Sequence, residues 1–582
     1  MAIAPLGFTL SDINAIDPLV LFSTELSSSL AAAQIPLYVP FDMPVLLQHN
    51  DRDEMEYLEL FPQDSLAWNV ALNNTDQHLD HYWKFFHPSY PVLHPPTFNT
   101  VDAPPLLKAS MMIIGALYEN QSSAKSEARL LHERCLKLVA KRYNDIQHTS
   151  PQPRLCDQQA LFLLEFYSQF KSRRLSPMAA RGLSNAFEIM FRQLLQDGEA
   201  MPTGGFHNPT ELEPGGDYEA TCRQWAEWIR LSSKKRLLVA TSILRAQKAS
   251  LLGRAEGRPM FQATDLPFPC SAPLWDAPSA ADWVDLMQLN SSSPRCISEV
   301  LEDNSIQRSV PCDLFQSAVL IAGCYNVDVH NDFLSICDSD SFEQGLDQSY
   351  GSQTHYHATL LSQNAPVRAL LAVSGESWIL NENLEPESFA AEKKNLRIWL
   401  DESWALEAYE RKVPVMKAIK QSIHVLRLCV DASGEKPSAL PLHWEMMAHI
   451  SVLVLWAVAH RVSEIRKQLV PASSLNTVFP SPGSAHHSIT PLSADSPDHM
   501  QKVRDFLAFA DEATNVSDLR AQWYSGSVPL AQWRLGVTAM LQWVSMRLEN
   551  ANPDQRSRSD VLSAAINSLS RLCERGWEPG WF

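Results

Sequence analysis

The sequence predicts an all-α protein, built as a large multi-helix domain with irregular proline- and serine-rich loops. From about residue 76 onward, apolar residues recur at three-to-four-residue spacing, and strand-like alternation is sparse. Hydrophobic residues make up 45% of the 582 residues and charged residues 20%, so most of the chain can fold around cores. Residues 441–466 are apolar nearly all round, which predicts a central buried helix.

The first 75 residues are expected to form a weakly ordered segment, because serine and alanine runs alternate there with prolines. Within it lies an acidic stretch, residues 51–64, where six acidic residues and one arginine are interleaved with apolar side chains. Such acidic-hydrophobic alternation occurs in activation segments. A solvated linker is the simpler interpretation, and the sequence leaves both open.

The helical pattern predicts one large domain over residues 76–470. Residues 157–175 carry apolar side chains at helical spacing, with Asp157 as the expected N-cap. The pattern repeats over 178–196, and a long helix over 219–252 is expected to bury Trp225 and Trp228. Further helices are predicted at 296–330, 353–373, 413–430, 441–466, 501–513, 528–549 and 558–574.

A second composition change marks the C-terminal part of the chain. Residues 471–498 are rich in serine, proline and glycine, which predicts a linker. Residues 499–582 are expected to form helices that pack on the same domain. No internal repeat of fixed period is found.

Charge and cysteine usage exclude several classes of protein. The net charge of -18 argues against a large non-specific nucleic-acid surface, because phosphate binding needs a basic face. No two of the ten cysteines are two to four residues apart, so zinc-finger and Cys-x-x-Cys redox patterns fail. Unpaired thiols in a reducing compartment are therefore expected. The first residues lack the positive region of a signal peptide, and the longest apolar stretch is about half of a membrane span, so we expect no membrane association.

Residues 82–98 combine an aromatic helix end with a proline-rich turn and two histidines. Tyr82, Phe85 and Phe86 are three to four residues apart, so they are expected to share a helix face, which Pro88 then ends. We predict an aromatic plug that closes a helical core. His87 and His94 are expected to be hydrogen-bonded packing residues rather than ligands.

Three further segments carry tryptophans beside distinctive residues. They are Trp225-Ala-Glu-Trp228-Ile followed by Ser233-Lys-Lys-Arg236-Leu-Leu; Asp265-Leu-Pro-Phe-Pro-Cys270 followed by Leu-Trp275-Asp-Ala and Trp283; and Pro366-Val-Arg368 followed by an apolar run, Gly375 and Trp378. The tryptophans are expected to anchor helix contacts. Lys234, Lys235 and Arg236 form a short basic triplet, which is a weak match to a nuclear import signal.

Together these segments resemble, in order, the fungal-specific transcription factor domain, also called the middle homology region. The resemblance is to the branch usually attached to two-cysteine/two-histidine zinc fingers. In the first segment the matching positions are Phe85, Phe86, His87, Pro88, Pro91, Leu93, His94, Pro95, Pro96, Thr97 and Phe98. The four matches cover roughly residues 76–380, and the resemblance implies an all-helical regulatory domain in a nuclear regulator.

The zinc-finger module itself is absent from this sequence, so no zinc ligand can be assigned to any residue. Zinc is expected only if an upstream finger exists. Three explanations stay open: a gene model that lacks its first exons, a shortened form, or a regulator that acts through a partner.

Enzyme signatures are weak, and we predict that the chain is not an enzyme. No Gly-x-Ser-x-Gly elbow, Walker loop or Gly-x-Gly-x-x-Gly pattern is present, and His443, Glu445 and His449 lack metalloprotease spacing. Asp76, His78 and His81 lack a third firm metal ligand. Asp328 with Asp332, and Asp338 with Asp340, do not form the aspartate-rich motifs of helical terpene synthases. We therefore assign no catalytic, cofactor-binding or metal residue.

The resemblance predicts a transcription regulator of fungal type that controls a metabolic or secondary-metabolite gene cluster. The expected partners are the transcription machinery or co-regulators, with a small-molecule effector and a homodimer as further options. DNA is reached indirectly or through a missing module, and the expected location is the nucleus, with a cytoplasmic pool. The alternatives are an interaction scaffold without DNA binding and, more remotely, an all-helical enzyme.

Overall fold

The all-α class is confirmed in the computed structural model. It describes residues 51–62, 75–119, 121–146, 154–172, 175, 177–199, 218–253, 266–289, 296–302, 312–325, 339–380, 382–402, 414–432, 440–469, 496–514, 519–525, 529–551, 555 and 558–582. All of these lie in one compact unit, residues 49–582. In the described part, a single antiparallel hairpin pairs β1 (Trp378–Ile379) with β2 (Glu382–Asn383).

The described helices follow one another along the chain. Up to residue 325 they are α1 (Asp51–Leu60), α2 (Thr75–His81), a π-helical turn (Tyr82–Phe86), a 3-10 turn (Pro95–Thr97), α3 (Pro105–Gly115), a 3-10 turn (Ala116–Tyr118), α4 (Ser122–Ile146), α5 (Leu155–Phe170), α6 (Pro177–Glu199), α7 (Tyr218–Leu252), α8 (Ala272–Trp275), α9 (Ala280–Leu289), α10 (Ile297–Glu302) and α11 (Leu314–Tyr325). Beyond it they are α12 (Asp340–Gly345), α13 (Tyr350–Asn364), α14 (Val367–Ser374), α15 (Pro386–Glu402), α16 (Pro414–Ala432), α17 (Trp444–Leu469), α18 (Pro497–Thr514), α19 (Leu519–Ser525), α20 (Leu530–Ala551) and α21 (Asp560–Arg575).

Helix α17 is the predicted central helix. It packs against α16 on one side and α20 on another, and α16 in turn packs on α13. Its apolar stretch is long enough to cross a membrane, but nearly all of it is buried inside the protein. A helix that is apolar all round and buried in this way is typical of a protein core.

Helix α7 joins the two halves of the described chain. It packs against α5 and α6 from the first half and against α11, α13, α14 and α17 from the second. A single apolar core therefore runs from Leu60 to Trp581, with a smaller satellite cluster around Trp228.

The expected N-cap at Asp157 is wrong. Helix α5 begins at Leu155, with Arg154 as the flanking residue. Arg142 donates to the Asp157 carboxylate at 2.8 Å, and Arg154 donates to it at 3.1 Å. Burial alone would raise the pKa of Asp157, but these two guanidinium groups outweigh burial and lower it. The carboxylate serves a tertiary ion-pair network, which local sequence rules cannot anticipate.

Two predicted helices are shorter than expected. The 353–373 helix is divided into α13 and α14 at Ala365 and Pro366, because proline disfavours helical angles in the residue before it. The 296–330 helix corresponds to α10 and α11, and residues 303–311 between them are outside the described part.

The acidic stretch differs from a solvated linker in its described part, residues 51–62. It forms α1, which packs on α3 and α4. Asp53 accepts from Arg154 at 2.9 Å, and Glu56 accepts from Arg142 at 2.8 Å. Both carboxylates are buried, so α1 is held by paired charges rather than left in water.

The remaining predictions about segments are not tested by the structure. The predicted linker, residues 471–498, lies almost entirely outside the described residues, and the boundaries of the four segments remain predictions. Eight cysteines are free thiols, and Cys135, Cys156, Cys312 and Cys429 are buried. Cys324 is disulfide-bonded, so the expectation of unpaired thiols fails there.

Candidate functional site

Residues 82–98 form the predicted aromatic plug. Tyr82 and Phe86 are fully buried, and the Phe86 ring packs 5.1 Å from the rings of Tyr90 and Phe166. Phe85 does not share their buried face and packs on Tyr118 instead, at 5.0 Å. The π-helical turn explains this difference, because its wider spacing rotates side chains away from the ordinary helical register.

The two histidines of the plug are packing residues in this structure. Burial lowers the pKa of His87 to about 3, with nearby Arg236 and His94 adding to the effect. Burial also lowers the pKa of His94 to about 4, and its Nδ1 lies 2.9 Å from the Thr97 hydroxyl. Both rings are therefore neutral at neutral pH. Among the described residues, no group of three potential ligands could hold a metal.

The second and third segments meet in a tryptophan cluster, formed by Trp228, Trp275 and Trp283. Trp228 lies 6.1 Å from Trp275 and 5.6 Å from Trp283, ring centre to ring centre. Arg236 stacks over Trp275 at 4.4 Å and donates to the Cys270 carbonyl at 2.7 Å. His94 of the plug meets Trp275 edge-on at 4.9 Å. The first three motifs thus touch one another.

The fourth segment closes the end of α7. Arg368 donates to the Gly253 carbonyl at 3.3 Å and pairs with Glu392 at 3.0 Å. Gly253 has a φ of +59°, and a Cβ there would lie 2.9 Å from the Arg368 backbone, so only glycine fits. Trp378 is 45% exposed, which contradicts its expected role as a buried anchor. Trp225 is only half-buried.

The three basic residues of the triplet on α7 are buried, half-buried or paired within the fold. Arg236 is buried in the tryptophan cluster, and Lys234 pairs with Asp197 at 2.6 Å. Burial lowers the pKa of Lys235. An import receptor needs accessible cations, so this triplet does not fit a transport signal in the folded chain.

The weak metal candidates that the structure describes do not join a group of three potential ligands. Burial lowers the pKa of His78, and His81 lies 3.4 Å from Glu119. Asp328, Asp332 and Asp338 are outside the described residues, and Asp340 lies in the first turn of α12.

A cavity of about 400 Å³ lies where α4 and α5 meet the loop before α17 and the helices α20 and α21. We call it the seam cavity. Its apolar and aromatic lining includes Leu117, Tyr118, Tyr167, Phe170, Leu442, Trp444, Val561 and Ala565. Its volume is within the usual range for small-molecule sites, roughly 300–1,000 Å³.

Charged groups from separate helices border the seam cavity. Lys171 donates to Glu445 at 2.7 Å, and Lys125 donates to the Ala551 carbonyl at 3.1 Å. Arg547 also lines the cavity. Burial lowers the pKa of Lys125, Lys171 lowers it further, and Glu445 partly offsets them. The seam cavity therefore combines aromatic walls with three cationic side chains and the carboxylates of Glu119 and Glu445.

His443 forms a buried part of the cavity wall. It is 3% exposed, and neither ring nitrogen has a hydrogen-bond partner among the described residues. Its ring stacks on Phe170 at 5.1 Å and stands perpendicular to His355 at 5.9 Å. Burial, then His355 and Lys171, hold the pKa of His443 well below its usual range. A neutral imidazole offers one donor and one acceptor.

A chain of buried polar groups leads from this wall to the aromatic plug. Beyond His355, the amide nitrogen of Gln247 lies 3.4 Å from the His355 Nε2. The Gln247 amide oxygen accepts from the Tyr90 hydroxyl at 2.8 Å. The plug and the cavity are thus connected through α7 and α13.

A second depression, of about 540 Å³, lies beside the hairpin and the C-terminus. It is more open than the seam cavity, and its ion pair between Arg575 and Glu578 is more than half exposed. Hydrated charges of this kind contribute little binding energy, so the seam cavity is the better candidate site.

Sequence reasoning did not find the seam cavity. Its polar groups Lys125, His443 and Arg547 are far apart in the chain, and no spacing rule links them. The one available signal was His443 and Glu445 at the start of an otherwise apolar helix.

Comparison with known proteins finds similarity over part of the chain. Residues 79–340 match the family described as "Fungal specific transcription factor domain". The chain is 27% identical over 256 residues to "Zinc finger protein zas1" of Schizosaccharomyces pombe, a match that covers 43% of this chain and 27% of that protein. It is 28% identical over 226 residues to "Zinc finger protein klf1" of the same organism, covering 38% of this chain and 27% of the relative. The chain thus matches about a quarter of each relative's length. No solved structure matches significantly.

Proposed function

We propose that the chain is the regulatory part of a transcription regulator that controls a metabolic or secondary-metabolite gene cluster, because residues 79–340 match the fungal-specific transcription factor domain. The family match carries the general function, and it points to a regulator rather than an enzyme. Control of a gene cluster is the finer proposal.

The packing of the motifs supports a regulatory role. All four motifs contact α7 or residues packed against it, and α7 also contacts the C-terminal core helix α17. A change at the C-terminal helices can therefore reach the family-matched part through one continuous core.

Deletion of the gene, followed by transcript sequencing, tests the regulatory role. We expect a set of neighbouring metabolic genes to change together and to recover when the wild-type gene is restored. A strain restored with Trp378→Ala serves as a matched control, since this exposed tryptophan is not needed for the core. Unchanged transcripts under all growth conditions would contradict the proposal.

We propose that the chain reaches DNA through a partner or an additional zinc module. Its net charge of -18 opposes phosphate binding, and no zinc-finger spacing occurs in its sequence. The second candidate, an interaction scaffold without DNA binding, rests on the same two observations.

A gel-shift experiment separates these candidates. The purified chain alone is expected to leave promoter fragments of its regulated genes unshifted, whereas nuclear extract containing the tagged chain shifts them. A shift by the purified chain would show direct binding. If neither shifts the DNA, the scaffold is favoured.

The remaining partners and the location are part of the same proposal. The chain would act in the nucleus, with co-regulators or the transcription machinery, and either alone or as a homodimer. Fluorescence of a tagged chain tests the location, and sedimentation of the purified chain measures the oligomeric state. A chain excluded from nuclei under all conditions would contradict a direct role in transcription.

A further inference from the structure

We propose that the seam cavity binds a small aromatic carboxylate. Binding can be tested on this chain by itself, without reference to transcription. The role of the ligand as an effector rests on the proposed function. Three features of the cavity specify the ligand: its charge, its unmet hydrogen bonds and its aromatic walls.

Cationic side chains in the wall of the seam cavity favour an anion. Lys125, Lys171 and Arg547 all line the cavity. Lys125 donates to the Ala551 carbonyl, and burial lowers the pKa of its ammonium, an effect that a bound anion would offset. A carboxylate beside Lys125 would gain a charge-assisted hydrogen bond, which is stronger than a neutral one.

His443 supplies a second, independent indication of a ligand. A buried polar group without a hydrogen-bond partner is costly, and within the described part of the chain both ring nitrogens of His443 are in this state. His443 lines the cavity, so a bound carboxylate that reaches its ring can accept the imidazole N–H. Such a ligand would complete a hydrogen bond that the protein leaves unmade.

The walls and the volume specify the rest of the molecule. Tyr118, Tyr167, Phe170 and Trp444 surround the space, and aromatic rings prefer stacked or edge-on contact with another ring. The volume of about 400 Å³ is near the lower end for ligand sites, so it suits a single ring with a short acidic group.

Such a ligand would contact two parts of the chain at once. Lys125 and Lys171 belong to the family-matched region, while His443 and Arg547 lie C-terminal to it, in the loop before α17 and in α20. An occupant that binds one arrangement of these helices better than another shifts their equilibrium. The polar chain from His443 to the aromatic plug provides a physical connection for this shift.

Binding can be measured on the full chain by fluorine NMR and calorimetry, with para-fluorobenzoate as the probe. The neutral para-fluorobenzamide has nearly the same shape and serves as the ligand control. We expect the benzoate to bind at least tenfold more tightly than the benzamide. Equal binding of the two, or binding of neither, would overturn the proposal.

Two variants locate the binding site. Lys125→Met should weaken para-fluorobenzoate about tenfold, whereas Lys137→Met, at an exposed position on the same helix, should leave the affinity unchanged. Val561→Phe should remove binding by filling the space, with circular dichroism confirming that each variant is folded. Wild-type affinity in both Lys125→Met and Val561→Phe would place the ligand elsewhere and refute the assignment.

This test and the transcript experiment fail separately. Regulated transcripts without benzoate binding would overturn only the ligand assignment. Benzoate binding without any transcript change on gene deletion would overturn the proposed function and leave the site intact.

Discussion

The tryptophan cluster and the seam cavity use the same kinds of side chain in opposite ways. In the cluster, Arg236 lies 4.4 Å from the centre of the Trp275 ring and donates to a backbone carbonyl, so the cation and the rings are in direct contact. In the cavity, lysines, an arginine and aromatic rings border about 400 Å³ of space. The indole nitrogens of Trp228, Trp275 and Trp283, like the ring nitrogens of His443, have no hydrogen-bond partner among the described residues, so the two regions differ in the space that their side chains enclose. We expect a ligand to occupy this space in the cavity.

This difference separates the residues that identify the family from those that we expect to bind a ligand. The motifs that match the family mainly hold α7 in place. The cavity lies partly beyond residue 340, where the family match ends. The two regions should therefore respond differently to mutation: the cluster should govern stability, and the cavity should govern binding.

The largest effect is expected from Trp275→Ala. Removing this fully buried ring leaves a void and removes the ring on which Arg236 stacks. The free energy of unfolding should therefore fall by about 3–5 kcal/mol. Trp378→Ala, at the exposed tryptophan, should cost less than about 1 kcal/mol. Urea unfolding measures both. Similar losses in the two variants would show that the cluster is not a stability centre.

A smaller loss is expected where α1 is held to the domain. Glu56→Gln removes one buried charge from the Arg142 pair and should cost about 2 kcal/mol. It should also speed amide exchange in α1 more than elsewhere. Glu59→Gln on the same helix, in an exposed pair with Lys141, should change stability by less than about 0.5 kcal/mol. Equal exchange in both variants would mean that the buried pair does not hold α1.

The pH dependence of stability provides a further test, through His449 on α17. His449 is buried in the packed core and has no hydrogen-bond partner within the described ranges, and burial lowers its pKa to about 4. In the unfolded chain this histidine has a pKa near 6.5 and binds a proton below that pH, whereas in the folded chain it stays neutral down to about pH 4. The free energy of unfolding therefore falls as the pH drops below 6.5. This histidine alone should contribute about 1 kcal/mol of loss between pH 6.5 and 5.5.

His449→Leu tests that sign. The variant should be at least as stable as the wild type at pH 7, and its stability should fall less steeply toward pH 5.5 in urea unfolding. A slope identical to that of the wild type would show that His449 is already hydrated or charged.

The smallest effect is expected from Val561→Phe. In a packed core a larger side chain costs about 1–3 kcal/mol, but beside the cavity it should change stability by less than about 0.5 kcal/mol. Val537→Phe, in the packed part of α20, is the control and should show the full cost. Thermal unfolding compares the two. Equal destabilisation would indicate that the cavity has no room for a ring.

The sequence anticipated much of the fold because helix periodicity and motif order are local features. Helix α7, the central helix α17 and the aromatic plug all followed from apolar spacing. The errors arose where contacts between residues distant in sequence determine the structure. Arg142 and Arg154 bind the Asp157 carboxylate, which therefore does not cap helix α5, and the same two arginines hold the acidic helix α1.

The candidate site could not be predicted in this way. Lys125, His443 and Arg547 come together only when α4, α20 and the loop before α17 are packed. Their side chains have no mutual spacing in the sequence, and an empty volume is a property of packing, not of composition.

Hydrogen exchange of the full chain with and without para-fluorobenzoate tests the contrast between cluster and cavity most directly. Ligand binding is expected to slow exchange in the segments that border the seam cavity, around Lys125, Lys171, His443 and Arg547, and to leave the helices of the tryptophan cluster unchanged. Protection centred on Trp228, Trp275 and Trp283 instead, or no protection at saturating ligand, would contradict the account.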